Sequence, residues 1–341
     1  MTDVESPFGS PSDFLRKLLW QSDARFATAC RGIFRSAPGL LIFAFHNLFA
    51  SAEEVAQGLL DPQQSMTVPM FRAFIADFQN HGYRFVSPDE IITGLESRGR
   101  YATITFDDGY ANNLRALPAL EEFRTPAVFC ISANHVLAGK PFWWDVLYRE
   151  ARKRSWSARR LERARAALKR LRTEDAEKKV ITEFGNAAFH AVSDLDRPLT
   201  PSELRNFASH SLVHIGNHTY DHAILGNYSE NEVAEQIQNA QQSLGEMTGK
   251  LPKVIAYPNG NVSAQIERAA RDAGIRLGLT IRAGKNRIPR LVSTTPYLRL
   301  RRFTLAGDRD IQSQCVVARA PVSLQSAMST IRARARAMVT A

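Results

Sequence analysis

Two neighbouring carboxylates, Asp107 and Asp108, are the residues of this sequence best placed to do chemistry. They end an alternating run, Thr103–Tyr110, which predicts a β-strand that delivers both carboxylates to its carboxyl end. Successive strand residues face opposite sides, so both can serve one site only if the chain turns there, and Gly109 permits such a turn. Taken alone, the segment has a second interpretation, because Asp-Gly is common turn chemistry and Asp often begins a helix.

A pair of histidines, His218 and His222, follows another strand-like segment. Their spacing of four positions can bring both rings onto one cation. An isolated pair of this kind more often belongs to a core or to the surface. Asp108 changes the balance, because one carboxylate and two histidines give zinc three protein ligands and leave one position open.

A third strand-like segment, Ile255–Gly260, ends in a proline and a glycine. This pattern predicts either a tight loop with exposed backbone N–H groups or an ordinary turn. The motifs of other catalytic classes are absent from the sequence, which has no G-x-S-x-G elbow, phosphate-binding glycine loop, dinucleotide fingerprint or C-x-x-C pair. The predicted chemistry is therefore acidic and imidazole-based.

Strand-like runs and helical patterns alternate along most of the chain, which is typical of a parallel α/β sheet or barrel with helices outside. About seven strands fit an α/β barrel, whose active site is built at the carboxyl ends of its strands. The predicted organisation is an N-terminal helical extension at 1–38, a barrel at 39–310 with a helical insertion at about 143–211, and a basic C-terminal tail at 311–341.

Positive charge is concentrated in the insertion. The formal net charge is +10, and the stretch 149–179 holds thirteen Arg or Lys against five Asp or Glu. This stretch is either a helical arm that packs through a thin apolar stripe and keeps its charges in water, or a landing site for phosphates of lipids, glycans or nucleic acid. Nucleic acid is the least favoured partner, because no motif of interleaved aromatic residues accompanies the charges.

The sequence favours a reducing compartment. Its three cysteines are too few and too far apart for a disulfide framework or a cysteine-based zinc site. Asp3 and Glu5 do not suit a secretion signal, and the apolar run Gly39–Ala50 is far shorter than the roughly 20 residues of a membrane-spanning helix. We expect a cytoplasmic protein, one that lies at the inner face of the cytoplasmic membrane if the arm binds anionic lipid.

The three motifs T-F-D-D-G-Y, H-T-x-x-H and Y-P-x-G, in this order, resemble the polysaccharide deacetylase (NodB-homology) family, carbohydrate esterase family 4. The likeness runs from about Leu40 to about Leu305 and includes the Phe142–Asp145 cluster, which is typical of members with an insertion. It implies a distorted (β/α)7 barrel of the NodB-homology type, here with a basic helical insertion, in agreement with the strand count.

The resemblance also implies roles for five residues. Asp107 would be the catalytic base, and the backbone N–H of Tyr257 would help to bind the oxyanion. The ligands of zinc, or of another divalent transition metal, would be Asp108, His218 and His222.

Two parts of the family's pattern are missing. Many members use a histidine near the carboxyl end as general acid, but no histidine follows His222, so His46 at the end of the first strand is the substitute we expect. Ala256 stands where the family often has an arginine that pairs with the base, and Arg301 or Arg302 could supply that charge, with Arg302 as our prediction.

The predicted function is a zinc-dependent de-N-acetylase acting on N-acetylhexosamine units of a polysaccharide or its lipid-linked precursor. An O-acetyl esterase or a small-molecule amidase could use the same site. A glycan-binding protein with a decayed site is the alternative outside enzymes.

Overall fold

The computed structural model describes residues 38–287 and 296–320. The described strands form one nine-stranded sheet in which every pairing is parallel. The strands are β1 (Gly39–Phe45), β2 (Arg84–Phe85), β3 (Arg100–Phe106), β4 (Ala127–Ile131), β5 (Val213–Asn217), β6 (Val254–Ala256), β7 (Leu277–Leu279), β8 (Tyr297–Leu300) and β9 (Phe303–Thr304). Two of them have only two residues, which leaves seven longer strands, as the sequence predicts.

The sheet curls until its two edges approach each other. Its strand order is β8-β7-β6-β5-β4-β3-β1-β9, with β2 paired to β3. The edge strands β8 and β9 are separated in sequence only by Arg301 and Arg302, and such a link spans at most about 10 Å. The parallel sheet is therefore a half-barrel, which confirms the distorted (β/α) barrel predicted above.

Helices cover the outside of this sheet. They are α1 (Ala52–Gln57), α2 (Val68–Asn80), α3 (Pro88–Thr93), α4 (Leu117–Glu122), α5 (Ala133–Ala138), α6 (Trp143–Lys153), α7 (Ala158–Leu168), α8 (Thr173–Phe184), α9 (Pro201–Ala208), α10 (Glu230–Thr248), α11 (Ala264–Asp272) and α12 (Ile311–Arg319). Within the described ranges, no helix combines the length and the apolar character needed to cross a bilayer.

Helix α2 shows how the sequence specifies one of these helices. The Thr67 side chain accepts a hydrogen bond from the first turn, a proline occupies that turn, and the helix buries Phe71, Phe74, Ile75 and Phe78. The three phenylalanine rings pack edge-on against phenylalanine side chains of the fully buried β1. The centroids of Phe43 and Phe74, for example, are 4.8 Å apart.

The insertion contains α6, α7 and α8, which share an apolar cluster of their own. Leu168 is buried in that cluster, and the rest of the predicted stripe is partly buried against it. Tyr110, from the loop after β3, belongs to the same cluster. The insertion is thus packed against the barrel at the strand ends that carry the motifs.

The end of the described chain is also packed. Helix α12 contributes Cys315 and Ala318 to the main core, and Arg319 pairs with Asp77 of α2. The segment 311–341, predicted as a basic tail, therefore begins with a docked helix. Residues 1–37 of the predicted extension and 321–341 lie outside the described residues.

Candidate metal and catalytic site

The motif residues lie at neighbouring strand ends. Asp107 and Asp108 follow β3, and His218 follows β5. Asp108 has a φ of 76° and Gly109 a φ of 96°, so the chain turns sharply at the point where the two carboxylates must be redirected. A Cβ at position 109 would also lie 3.2 Å from Ile131. The turn therefore favours glycine there, and the close approach of Ile131 adds to that preference.

The structure brings Asp108, His218 and His222 together. Oδ1 of Asp108 is 3.3 Å from Nε2 of each histidine, and one ligand atom of each residue lies within 4.8 Å of the others. Both carboxylate oxygens are buried and accept no hydrogen bond from the described residues. A buried carboxylate costs several kcal/mol unless it is compensated. One oxygen and two imidazole nitrogens fit a divalent transition metal.

The ring of His218 is oriented by the backbone. Its Nδ1 lies 2.7 Å from the carbonyl oxygen of Ala256. A carbonyl can only accept, so Nδ1 carries the hydrogen atom and the lone pair of Nε2 faces Asp108. This is the tautomer that a metal-binding histidine needs at Nε2.

Electrostatics keep Asp108 ionised. Burial raises the pKa of this carboxyl, but the facing His218 and His222 outweigh it and bring the pKa well below its ordinary value. Burial lowers the pKa of His222. Burial also disfavours charge on His218, yet Asp107 and Asp108 raise its pKa overall. An ionised Asp108 is the form that binds a cation.

The second carboxylate, Asp107, is held by Arg302. Nη1 and Nη2 of Arg302 each lie 2.7 Å from one oxygen of Asp107. Arg302 is 1% exposed, and it also donates to Thr105 Oγ1 at 3.1 Å and to the Thr280 carbonyl at 3.1 Å. Burial raises the pKa of Asp107, but Arg302 and His218 lower it by more than burial raises it. The pKa therefore lies below its ordinary value.

The position of Arg302 follows from the short link between the two edge strands of the half-barrel. Arg302 lies in the link between the edge strands and points into the barrel. Arg301, by contrast, is exposed, and its backbone N–H donates to Asn286. The structure therefore places Arg302, rather than Arg301, beside the carboxylate.

His46 is half-buried just beyond β1. Its Nδ1 lies 3.2 Å from Oε1 of Gln64, whose amide nitrogen donates to the Ala44 carbonyl at 2.7 Å. Because that amide oxygen can only accept, Nδ1 of His46 is the donor and Nε2 remains for other contacts. His46 is among the groups that lower the pKa of Asp107 and of Asp108. The acid role of His46 stays a prediction.

The backbone N–H of Tyr257 is already engaged. It donates to the carbonyl of Leu279 at 3.1 Å, in the ladder between β6 and β7. The side chain of Tyr257 is buried. Binding an oxyanion there would require this hydrogen atom to be shared. Pro258 has no N–H, so the next amide of the loop belongs to Asn259, which has a φ of 56°.

Sequence reasoning missed a set of contacts between the insertion and the site. The ring of Trp144 lies 4.5 Å, centroid to centroid, from the ring of His222. Oγ1 of Thr173, at the start of α8, donates to the carbonyl of His222 at 3.4 Å. The N–H of Leu199 donates to the Gly109 carbonyl at 2.9 Å. The Phe142–Asp145 cluster is the one sequence feature that points to such contacts, but the sequence does not identify the residues that it touches.

Several solved structures have the same fold. They include Streptococcus pyogenes deacetylase PplD in complex with acetate, at 17% identity and a TM-score of 0.53 over 82% of this chain and 97% of that one. IcaB from Ammonifex degensii gives 19% identity and a TM-score of 0.54 over 84% and 99%. A de-N-acetylase from Aggregatibacter actinomycetemcomitans gives 15% and 0.55 over 82% and 99%. The TM-scores, all above 0.5, establish a shared fold.

The sequence itself establishes the family. The family model described as polysaccharide deacetylase matches residues 95–278, which is more than half of the chain. The matched range contains both motif carboxylates, both histidines and Tyr257, whereas His46 and Arg302 lie outside it. The chain therefore belongs to the polysaccharide deacetylase family and is a hydrolase of carbohydrate esterase family 4.

Proposed function

We propose that this chain removes the acetyl group from N-acetylhexosamine units of a glycan with the help of a divalent transition metal, zinc in the first instance. The supporting observation is the buried carboxylate of Asp108, whose two oxygens accept no hydrogen bond from the part of the chain that the structure describes, while two imidazole nitrogens face it. Asp108, His218 and His222 would hold the metal.

The metal would supply what an amide substrate lacks, since a bound zinc ion polarises a carbonyl and lowers the pKa of water to about 7. Asp107 is the base that takes the proton from the attacking water. It accepts two hydrogen bonds from Arg302, and each carboxylate oxygen keeps a second lone pair for that proton. Arg302 therefore orients the base and keeps it ionised before the reaction.

The departing amine needs a proton, and His46 is the donor that we assign. Gln64 fixes its Nδ1–H, so Nε2 is the atom that would exchange the proton with the substrate. Such general acid or base steps typically contribute about 10²- to 10⁴-fold in rate. For the oxyanion, the N–H of Asn259 is the alternative donor to that of Tyr257, which is engaged with Leu279.

Product analysis tests this function. Purified protein supplied with zinc should release acetate and an equal amount of new free amine from N-acetylglucosamine oligomers, because the amide bond is the one broken. Acetate release without amine would instead show an O-acetyl esterase. No acetate from any N-acetylated glycan of a varied panel would contradict the proposal.

Asp107→Asn is the matched variant for that assay. It keeps the shape of the side chain but cannot accept the proton, so turnover should fall about 10²- to 10⁴-fold. Metal content should be unchanged, because Asp107 is not one of the three clustered ligands. Undiminished turnover would exclude Asp107 as the base.

We further propose that the substrate, or its lipid-linked precursor, is met at an anionic membrane surface, which would be the inner face of the cytoplasmic membrane. The support is a set of exposed arm cations that form no ion pair within the described residues: Arg159, Arg163, Lys169 and Arg170. Helix α8 of the same insertion contacts the His222 loop through Thr173. A charged surface held against the site in this way suits a phosphate-bearing substrate.

A further inference from the structure

The two histidines of the candidate metal site are oriented by different means. The ring of His218 is fixed by a hydrogen bond from Nδ1 to a backbone carbonyl. In the described part of the chain, the ring of His222 makes no such bond and is bounded instead by two rings. One is His218, with centroids 4.8 Å apart, and the other is Trp144, at 4.5 Å and an interplanar angle of 55°.

The indole ring of Trp144 is itself fixed by a chain of buried hydrogen bonds. Its Nε1 donates to Oη of Tyr110 at 2.8 Å, and that hydroxyl donates to Oδ2 of Asp145 at 2.6 Å. The other oxygen of Asp145 accepts from the backbone N–H of Asp61 at 2.9 Å. A hydroxyl has one hydrogen atom, so Tyr110 accepts from the indole and donates to the carboxyl.

This series of hydrogen bonds joins parts of the protein that are far apart in sequence. Tyr110 lies two residues after Asp108, and Trp144 begins the insertion. Tyr110 and Asp145 are both fully buried, so neither side chain can exchange these partners for water. Phe142 packs on Trp144 with centroids 4.9 Å apart. The indole ring is therefore fixed both by its hydrogen bond to Tyr110 and by its packing against Phe142.

We propose that Trp144 is a positioning residue for the metal site: the hydrogen-bonded chain Asp145–Tyr110–Trp144 fixes the indole ring, which in turn holds the imidazole of His222 toward Asp108. This inference rests on the proposed metal site. A metal-binding side chain that must become ordered when the metal binds gives a lower metal affinity. Replacing a group that orients such a side chain typically lowers the metal affinity about 10- to 100-fold.

Cobalt binding by the full chain provides the test. The dissociation constant and the visible absorption spectrum of Co²⁺ are measured for the wild type, Trp144→Leu and Tyr110→Phe. Trp144→Leu removes the ring, and Tyr110→Phe removes only the hydroxyl that fixes it. We expect the affinity to fall about 10-fold or more in Trp144→Leu, with an altered spectrum, and to fall less in Tyr110→Phe.

Trp143→Phe is the matched control. Trp143 is as buried as its neighbour, at 4% against 7% exposed, but its ring packs edge-on to Trp144 rather than joining the hydrogen-bonded chain. Its cobalt affinity and spectrum should equal those of the wild type. Wild-type affinity and spectrum in both Trp144→Leu and Tyr110→Phe would overturn the proposal.

A second readout is independent of the metal. Protein labelled with ¹³C-histidine shows the ring protons of His222, assigned by their loss in His222→Gln. The ring current of an indole 4.5 Å away should shift these signals, and Trp144→Leu should remove that shift. If the wild type binds no cobalt, the metal proposal fails while this shift still decides the positioning role. An unshifted His222 signal would refute that role.

Discussion

Arg302 sets the protonation state and the direction of Asp107. Without a cation, burial alone would raise the pKa of this carboxyl, and the guanidinium reverses that effect. Ala256 of the inner strand β6 stands where the resemblance implies an arginine, and the charge comes instead from the link between the edge strands β8 and β9.

Replacing Arg302 should move the pH dependence of the reaction. In Arg302→Met the pKa of Asp107 rises, because burial remains and the compensating charge is gone. The base must be deprotonated to act, so the acidic limb of the kcat/KM profile should move to higher pH. Rate measurements across that limb check this prediction.

Breaking a buried pair also costs about 3–5 kcal/mol of stability, so Arg302→Lys serves as the folding control. It keeps the charge and loses the two-point geometry, and its acidic limb should lie closer to that of the wild type. An acidic limb that stays in place in a folded Arg302→Met protein would contradict this account of the pair.

Individual site residues were readable from the sequence to different degrees. The carboxylates and histidines lie in short motifs directly after strands, so their convergence was predictable. The choice of Arg302 over Arg301 depended on which side of the link faces the barrel. The engagement of the Tyr257 N–H with Leu279 was not readable, because it depends on the register of two three-residue strands.

Among the elements, the insertion shows the largest difference between what the sequence predicts and what the structure shows. Its helices were predictable from the apolar stripe and the polar faces. Its docking was not, because several of the contacts use backbone groups, which have no sequence signature. The Tyr228 hydroxyl accepts from the N–H of Thr173 at 2.8 Å, and Asn227 donates to the Leu171 carbonyl at 2.7 Å.

The arm should give the protein a salt-sensitive affinity for anionic vesicles. A variant carrying Arg159→Gln, Arg163→Gln and Arg170→Gln should bind phosphatidylglycerol-containing vesicles on the order of 100-fold more weakly at low salt, since each cation contributes about 1 kcal/mol. Wild-type binding should also fall between 0.1 M and 1 M salt, as the Debye length shrinks from about 10 Å to about 3 Å. Vesicle sedimentation measures both effects.

A charge-matched variant separates the arm from net charge. Arg98→Gln, Arg124→Gln and Arg268→Gln remove the same charge from exposed positions of the barrel. This variant should bind nearly as well as the wild type. Equal losses in both variants, or binding that ignores salt and lipid charge, would argue against a docking surface on the arm.

In the molecule as a whole, burial of titratable side chains makes the free energy of unfolding depend on pH. His135 of α5 is fully buried; its Nδ1 faces the Lys140 carbonyl at 3.0 Å, and its Nε2 has no hydrogen bond within the described residues. Burial, with a smaller contribution from Lys140, lowers the pKa of His135 from 6.5 to about 3. The folded state therefore keeps this ring neutral.

The sign of the pH effect follows from that shift. Between pH 6.5 and about 3 the unfolded chain binds a proton at His135 that the folded chain does not. Stability from this group is fully present above 6.5 and is lost as the pH falls, by up to about 1.4 kcal/mol per pH unit. The free energy of unfolding of His135→Gln should depend less on pH between 4.5 and 6.5 than that of the wild type, as denaturant titrations would show.

His190→Gln is the control for that titration, because His190 is exposed. Its stability should follow the wild-type pH dependence. If His135→Gln and the wild type lose stability in parallel as the pH falls, His135 does not stay neutral in the folded state.

Removing the metal and returning it shows whether Asp108, His218 and His222 hold one ion on which deacetylation depends. We expect exhaustive chelation to abolish amine release from N-acetylglucosamine oligomers, and one Zn²⁺ per chain to restore it. Asp108→Asn, His218→Gln and His222→Gln should each lose both the metal and the activity. Full turnover in a folded, metal-free preparation would rule out metal-dependent deacetylation at this site.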